Sequence, residues 1–181
     1  MRRLLPLMLA IGLLMAPPSS WARQYTQTAF APSPKTTALI TRNIGQAEKT
    51  IRIAAYSFTS QPIADALIKA HQKGVDVKAV VDKTQANPRT HSIVSRLVHA
   101  GILVRVDRKH SIMHNKYIVI DNRTIQTGSF NYTANAEKRN AENVMVIRNN
   151  PALAEKYLKN WQKLWDESEN YIANDNAPNL R

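Results

Sequence analysis

Apolar positions along this chain change their spacing repeatedly, and each change marks an element. Residues 50–58 (TIRIAAYSF) are rich in β-branched and aromatic side chains and predict a strand. Ile63, Ala66, Leu67 and Ala70 then recur at helical spacing between Ser60 and Lys73, and Gly74 supplies a stop. A second strand is expected over 75–81, followed by a polar loop over 82–90 that contains Asn87-Pro88. Helix returns over 91–100, is stopped by Gly101, and gives way to a third strand over 102–106. Residues 115–120 and 124–127 predict two strands joined by the tight turn Asp121-Asn122-Arg123, which makes them antiparallel. A sixth strand is expected over 143–148. The helix that follows runs from Pro151 to about residue 169, with Leu153, Tyr157, Leu158, Trp161, Leu164 and Trp165 as its buried face. Those aromatics read as core, not as a ligand platform. Upstream, Ser33-Pro34 has the form of an N-cap with proline at the first helical position, opening a helix to about Lys49. Residues 23–33 read as a polar, irregular lead-in.

Alternating strands and helices that end in a hairpin predict an α/β domain, layered as an α/β/α sandwich around a mixed central sheet. The unbroken apolar run Tyr117-Ile118-Val119-Ile120 predicts a sheet covered on both faces. The chain carries no internal repeat, so any active-site motif in it is present once.

The N-terminus has a different character. Arg2 and Arg3 precede an apolar stretch from Leu4 to Ala16, Pro17-Pro18 break it, and Ser20-Trp21-Ala22 places small residues at a cleavage point. This is the layout of a secretory signal peptide over residues 1–22, with residues 23–181 as the mature domain. The apolar run is too short to span a bilayer, which takes about 20 residues. A periplasmic or secreted protein with no stable membrane association after cleavage is therefore expected. Without residues 1–22, which hold two arginines and no acid, the 181-residue chain keeps 159 residues, and its net charge falls from +12 to +10. That length suits one domain. The absence of cysteine excludes disulfides, thiol catalysis and cysteine-bound zinc. The basic excess is dispersed along the chain, as on a folded surface that attracts polyanions such as nucleic acid or anionic headgroups.

The segment that carries chemistry is His114-Asn115-Lys116, leading into the apolar strand and Asp121. Side chains alternate along a strand, so His114 and Lys116 project from one face roughly 6–7 Å apart. Gly128, Ser129, Phe130 and Asn131 follow at the end of the partner strand, which the hairpin returns toward His114. H-x-K-x4-D-x6-G-S resembles the signature of the phospholipase D superfamily, and the GSFN continuation is similar to that family's small bacterial endonucleases. The five fixed residues should arise by chance in such a chain on the order of once in ten thousand.

The resemblance implies an in-line displacement at phosphorus. One histidine attacks to form a phosphohistidine, a second protonates the leaving oxygen and later activates water, and lysine and asparagine side chains gather the non-bridging oxygens. The scheme needs no metal, and the sequence points to no cofactor. It needs two motifs where this chain has one, so a homodimer sharing its active site across a two-fold axis is expected. His114, Lys116, Asn131 and Glu142 are the catalytic candidates, with Glu142 resembling the family's acidic partner for the histidine. Ser129 and Gly128 are expected to support the loop. Asp121 faces away from His114 and is assigned to the turn. His110, Lys83 and Arg89 are candidate substrate contacts; His71, His91 and His99 read as ordinary helix residues. The expected substrate is nucleic acid, DNA or RNA. A lipid phosphodiesterase and a non-catalytic nucleic-acid binder on the same scaffold are the alternatives.

Overall fold

The computed structural model describes residues 23–87 and 93–172. The leader, with its cleavage point, and Arg89 and His91 lie outside the described residues. In chain order the first half comprises β1 (Tyr25–Ala31), α1 (Pro34–Gly45), β2 (Thr50–Ala55), α2 (Gln61–Gln72), β3 (Asp76–Asp82), α3 (Val94–His99) and β4 (Leu103–Asp107). The second half comprises β5 (Lys116–Ile120), β6 (Thr124–Gly128), α4 (Ala134–Lys138), β7 (Glu142–Arg148), α5 (Pro151–Asp166) and β8 (Glu169–Asn170).

All eight of these strands join one sheet in the order β1-β7-β6-β5-β2-β3-β4-β8. β2, β3 and β4 are parallel, and the remaining pairings are antiparallel, so the sheet is mixed. Its faces are read off by parity along β5. Ile118 and Ile120 enter the larger core with Leu39, Ile40 and Leu67 of α1 and α2. Tyr117 and Val119 pack on the other face with Ala154, Trp161 and Leu164 of α5. The result is the α/β/α sandwich expected from the pattern, with α5 alone on its side. Trp161 anchors it: the indole N–H donates to the Ile53 carbonyl at 2.8 Å, and the ring stacks on Trp165 at 4.9 Å. Burying a side chain of this kind contributes about 1.5–3 kcal/mol.

Three elements depart from the expectation. Residues expected to be an irregular lead-in form β1, an edge strand paired along its length with β7. Its sequence reads as polar because an edge strand leaves even Phe30 69% exposed. α4 and the two-residue β8 are too short to register as periodicity. Elsewhere the ends shift. α1 stops at Gly45, β2 stops before Tyr56, α5 stops at Asp166, and the segment after β3 holds a 3-10 turn, Lys83–Ala86. The N-cap was legible in detail, since the Ser33 hydroxyl accepts from the Lys35 N–H at 3.2 Å with Pro34 next in the chain.

Candidate active site

His114 lies two residues ahead of β5, at the end of the sheet where the parallel strands β2, β3 and β4 deliver their carboxyl termini. The loop that brings it there is held by two buried carboxylates. Asp107, ending β4, accepts from the Lys109 and His110 N–H groups at 2.9 and 3.0 Å and from His110 Nδ1 at 2.7 Å. Asp82, ending β3, accepts from the Met113 N–H at 2.8 Å. Met113 is buried, and His114, its neighbour, is left exposed. The backbone thus presents the imidazole to solvent from a rigid loop.

Lys116 is the opposite case, only 8% exposed. Its ammonium donates to the His114 carbonyl at 2.7 Å and lies 5.1 Å from the centre of the Tyr56 ring. Tyr56 in turn meets the His114 imidazole at 4.6 Å between centroids and is tied to the loop by its own N–H, which donates to the Asn115 carbonyl at 2.9 Å. Burial pushes the Lys116 amine below its ordinary value, and the carboxylate of Glu142 opposes that shift. A buried cation is therefore fixed to the backbone of an exposed histidine; His114 precedes β5, so the two are held together by this bond and by Tyr56 and not by alternation along a strand.

Gly128 and Ser129 bring the carboxylate into place. Gly128 has φ +146°, and a Cβ added there would lie 2.2 Å from the Asn143 carbonyl oxygen, so only glycine allows β6 and β7 to approach this closely. The Ser129 hydroxyl then donates to Glu142 at 2.5 Å and accepts from the Asn143 N–H at 3.0 Å. The second Glu142 oxygen accepts from the Asn140 amide at 3.0 Å. In the single chain these two bonds hold the Glu142 carboxylate, and it makes none to the His114 ring. Within one subunit Glu142 acts on Lys116 by charge and on Ser129 by contact.

Asn131 stands apart from His114. Phe130 and Tyr132 are fully buried on either side of it, and it lines a smaller cavity of about 400 Å³ with Ser57, Thr59 and Thr133. Its Oδ1 is buried without a hydrogen-bond partner. Tyr56 borders that cavity too, and so stands between Asn131 and the imidazole. Asp121 is at the far end of β5, where its carboxylate accepts from the N–H groups of Glu48, Lys49 and Thr50 at 2.9, 2.7 and 2.9 Å. The Lys83 ammonium donates to the His110 carbonyl at 3.3 Å, and the His110 ring is committed to Asp107. His110 belongs to the loop that carries His114, and Lys83 reaches it from the 3-10 turn after β3.

His114 and Lys116 open into a cavity of about 660 Å³. Its far wall is α5, through Leu153, Lys156, Tyr157 and Asn160. Leu153 and Tyr157, expected as core, do pack against the core on the α5 side, but both are half-buried and also line this cavity. Tyr56 and the two loop-holding aspartates were also missed. Strand pairing between β2 and β5 is what brings Tyr56 to Asn115, and no local pattern encodes it. Among the described residues, no group of three or more His, Asp or Glu side chains is arranged to hold a metal ion.

Comparison with known proteins agrees with this geometry. Residues 40–165 match the family described as cardiolipin synthase, PLD-like domain. The chain is 41% identical over 143 residues to phospholipase D of Rickettsia conorii, covering 79% of this chain and 70% of that one. It is 33% identical to the mitochondrial cardiolipin hydrolase of Chlamydomonas reinhardtii, over 82% of this chain and 65% of the relative. Among solved structures, Nuc from Salmonella typhimurium, a phospholipase D family member, superposes with a TM-score of 0.77 at 39% identity, over 83% of this chain and all of that one. NucT from Helicobacter pylori shares the fold, with a TM-score of 0.73 at 21% identity, over 82% of this chain and all of NucT. By these matches, and with an exposed imidazole next to a buried lysine and a GS turn locked to a carboxylate, this chain belongs to the phospholipase D superfamily and is a hydrolase of the phosphodiesterase type.

Proposed function

We propose that the chain is an exported endonuclease that cleaves nucleic-acid phosphodiester bonds with little sequence preference and without a metal. The observation that carries this reading is the exposed His114 ring beside a buried Lys116 whose ammonium is bonded to the His114 carbonyl, in a chain of net charge +12, or +10 without residues 1–22. Backbone phosphates are drawn by the field of such a chain regardless of sequence.

The reaction follows from where the groups lie. His114 attacks phosphorus, forming an N–P bond as the P–O bond to the leaving group breaks. Lys116 balances the charge that gathers on the non-bridging oxygens. The leaving oxygen takes a proton from an imidazolium on its far side. Water then attacks the phosphohistidine, gives its proton to that same second imidazole, and the N–P bond breaks. A single copy of the motif supplies one of these imidazoles, so the second comes from His114 of another copy in a homodimer. Glu142 favours the charged form of Lys116. Residues 1–22 serve as the export signal.

Lipid hydrolysis is the second reading, favoured by the apolar wall that Leu153 and Tyr157 give the cavity. Plasmid DNA and phosphatidylcholine vesicles, each incubated with the protein in EDTA, separate the two. Nicking of plasmid with no release of headgroup is expected, with kcat/KM falling steeply as salt rises. Headgroup release without nicking, or activity lost in EDTA and restored by magnesium, would overturn the proposal. So would full activity in a preparation that sedimentation shows to be monomeric.

A further inference from the structure

We propose that the α5 wall of the cavity is a pocket for a nucleobase next to the scissile phosphate, so that the enzyme prefers single strands. This rests on the nuclease reading above and names the form of substrate it takes. The cavity runs from His114 and Lys116 to Tyr157, Leu153 and Asn160, so whatever fills it is covalently close to the phosphate on the imidazole. At about 660 Å³ it falls within the size of a small-molecule site.

Its walls are prearranged for a flat ring with polar edges. The Tyr157 ring is held edge-on by Tyr117, at 5.0 Å between centroids and 80° between planes. The Tyr117 hydroxyl donates to Asn160 Oδ1 at 2.7 Å. That bond holds the amide by its oxygen at the cavity wall and leaves its NH2 as a donor. Burial holds the Tyr117 phenol well above its ordinary value, so it remains a donor throughout the working range of pH. An aromatic ring, an aliphatic wall and an amide anchored by its oxygen match a base, with ring and acceptor atoms together. A lipid tail needs no donor. Lys156, on the rim, is placed for a flanking phosphate. A base can enter only by leaving its stack, which costs least in a single strand.

The test compares a single-stranded DNA oligonucleotide with an oligomer of the same length built from abasic units. In the full-length protein, kcat/KM for the base-bearing strand should exceed that for the abasic strand by about tenfold or more. Tyr157→Ala should bring the ratio close to one. Asn160→Ala, at an exposed position, should reduce it as well and serves if the tyrosine variant fails to fold. Equal cleavage of the two strands by the unaltered protein, or variants that slow both alike and keep the ratio, would overturn the pocket while leaving the nuclease intact. Cleavage of neither strand while plasmid is still nicked would also overturn the pocket, and cleavage of neither strand with plasmid intact would remove the nuclease reading itself. A Tyr157→Ala change in sedimentation with the ratio preserved would assign the cavity to contact between copies. Selective loss of vesicle hydrolysis would assign it to an acyl chain. Either outcome overturns the inference.

Discussion

β5 is five residues long, and its two ends are built on opposite principles. At the Asp121 end the carboxylate is saturated by three backbone N–H groups, and the turn that follows uses left-handed backbone at Asp121 and Asn122, with φ near 50°. At the His114 end the imidazole is exposed, touches a tyrosine ring and, among the described residues, accepts or donates no hydrogen bond, while the lysine below is buried against its preference. One signature spans both. The comparison teaches that a motif residue is not thereby a reacting residue: the aspartate ties strand β5 to the start of β2, and the histidine is left free to react. Natural proteins concentrate unsatisfied groups where chemistry happens and secure the frame elsewhere.

Substitutions at the two ends should therefore fail in different ways. His114→Ala should lower turnover on DNA by about ten-thousandfold or more, as for removal of a covalent nucleophile, with the melting temperature unchanged. A melting temperature that falls along with activity would place His114 in the frame and erase the contrast. Asp121→Ala should do the reverse. Leaving three N–H groups without their acceptor costs about 2–3 kcal/mol, or roughly 5–10 °C in melting temperature for a domain of this size, with activity retained below the transition. Equal stability of the variant would show that water replaces the carboxylate and that this end is not an anchor.

The smallest effect concerns Glu142. In the proposed reaction Lys116 serves as a cation, so activity should fall as pH rises through its lowered value. Glu142 raises that value, and Glu142→Gln removes the support. The alkaline limb of the pH–kcat/KM profile should therefore move to lower pH, with the acid limb in place. A shift toward higher pH, or of the acid limb alone, would transfer the role of Glu142 from Lys116 to an imidazole.

Much of this was legible before any coordinates. Strands β2 to β7, with the exact chemistry of the Ser33 cap and the Asp121-Asn122 turn, follow from periods of two and 3.6 and from local backbone preference. β1 was hidden because its core-facing apolar side chains include only the small Ala29 and Ala31 while Phe30 faces solvent, and β8 and α4 because a few residues carry no period. Within the site, His114, Lys116, Gly128, Ser129 and Glu142 are legible as a spaced motif. Tyr56, Asp82, Asp107 and the α5 wall are not, since they reach the site through strand pairing and helix placement.

What the sequence determined by itself was the layered fold and the pair of side chains proposed for the chemistry, since both are local: periodicity sets the elements, and the H-x-K spacing sets the pair. Only the tertiary structure decided which of that pair is buried, what Glu142 grips and what lines the cavity beside them. Desolvation, hydrogen bonding between distant strands and the placement of a helix depend on residues far apart in the chain. Their energies have no expression until the sheet is assembled.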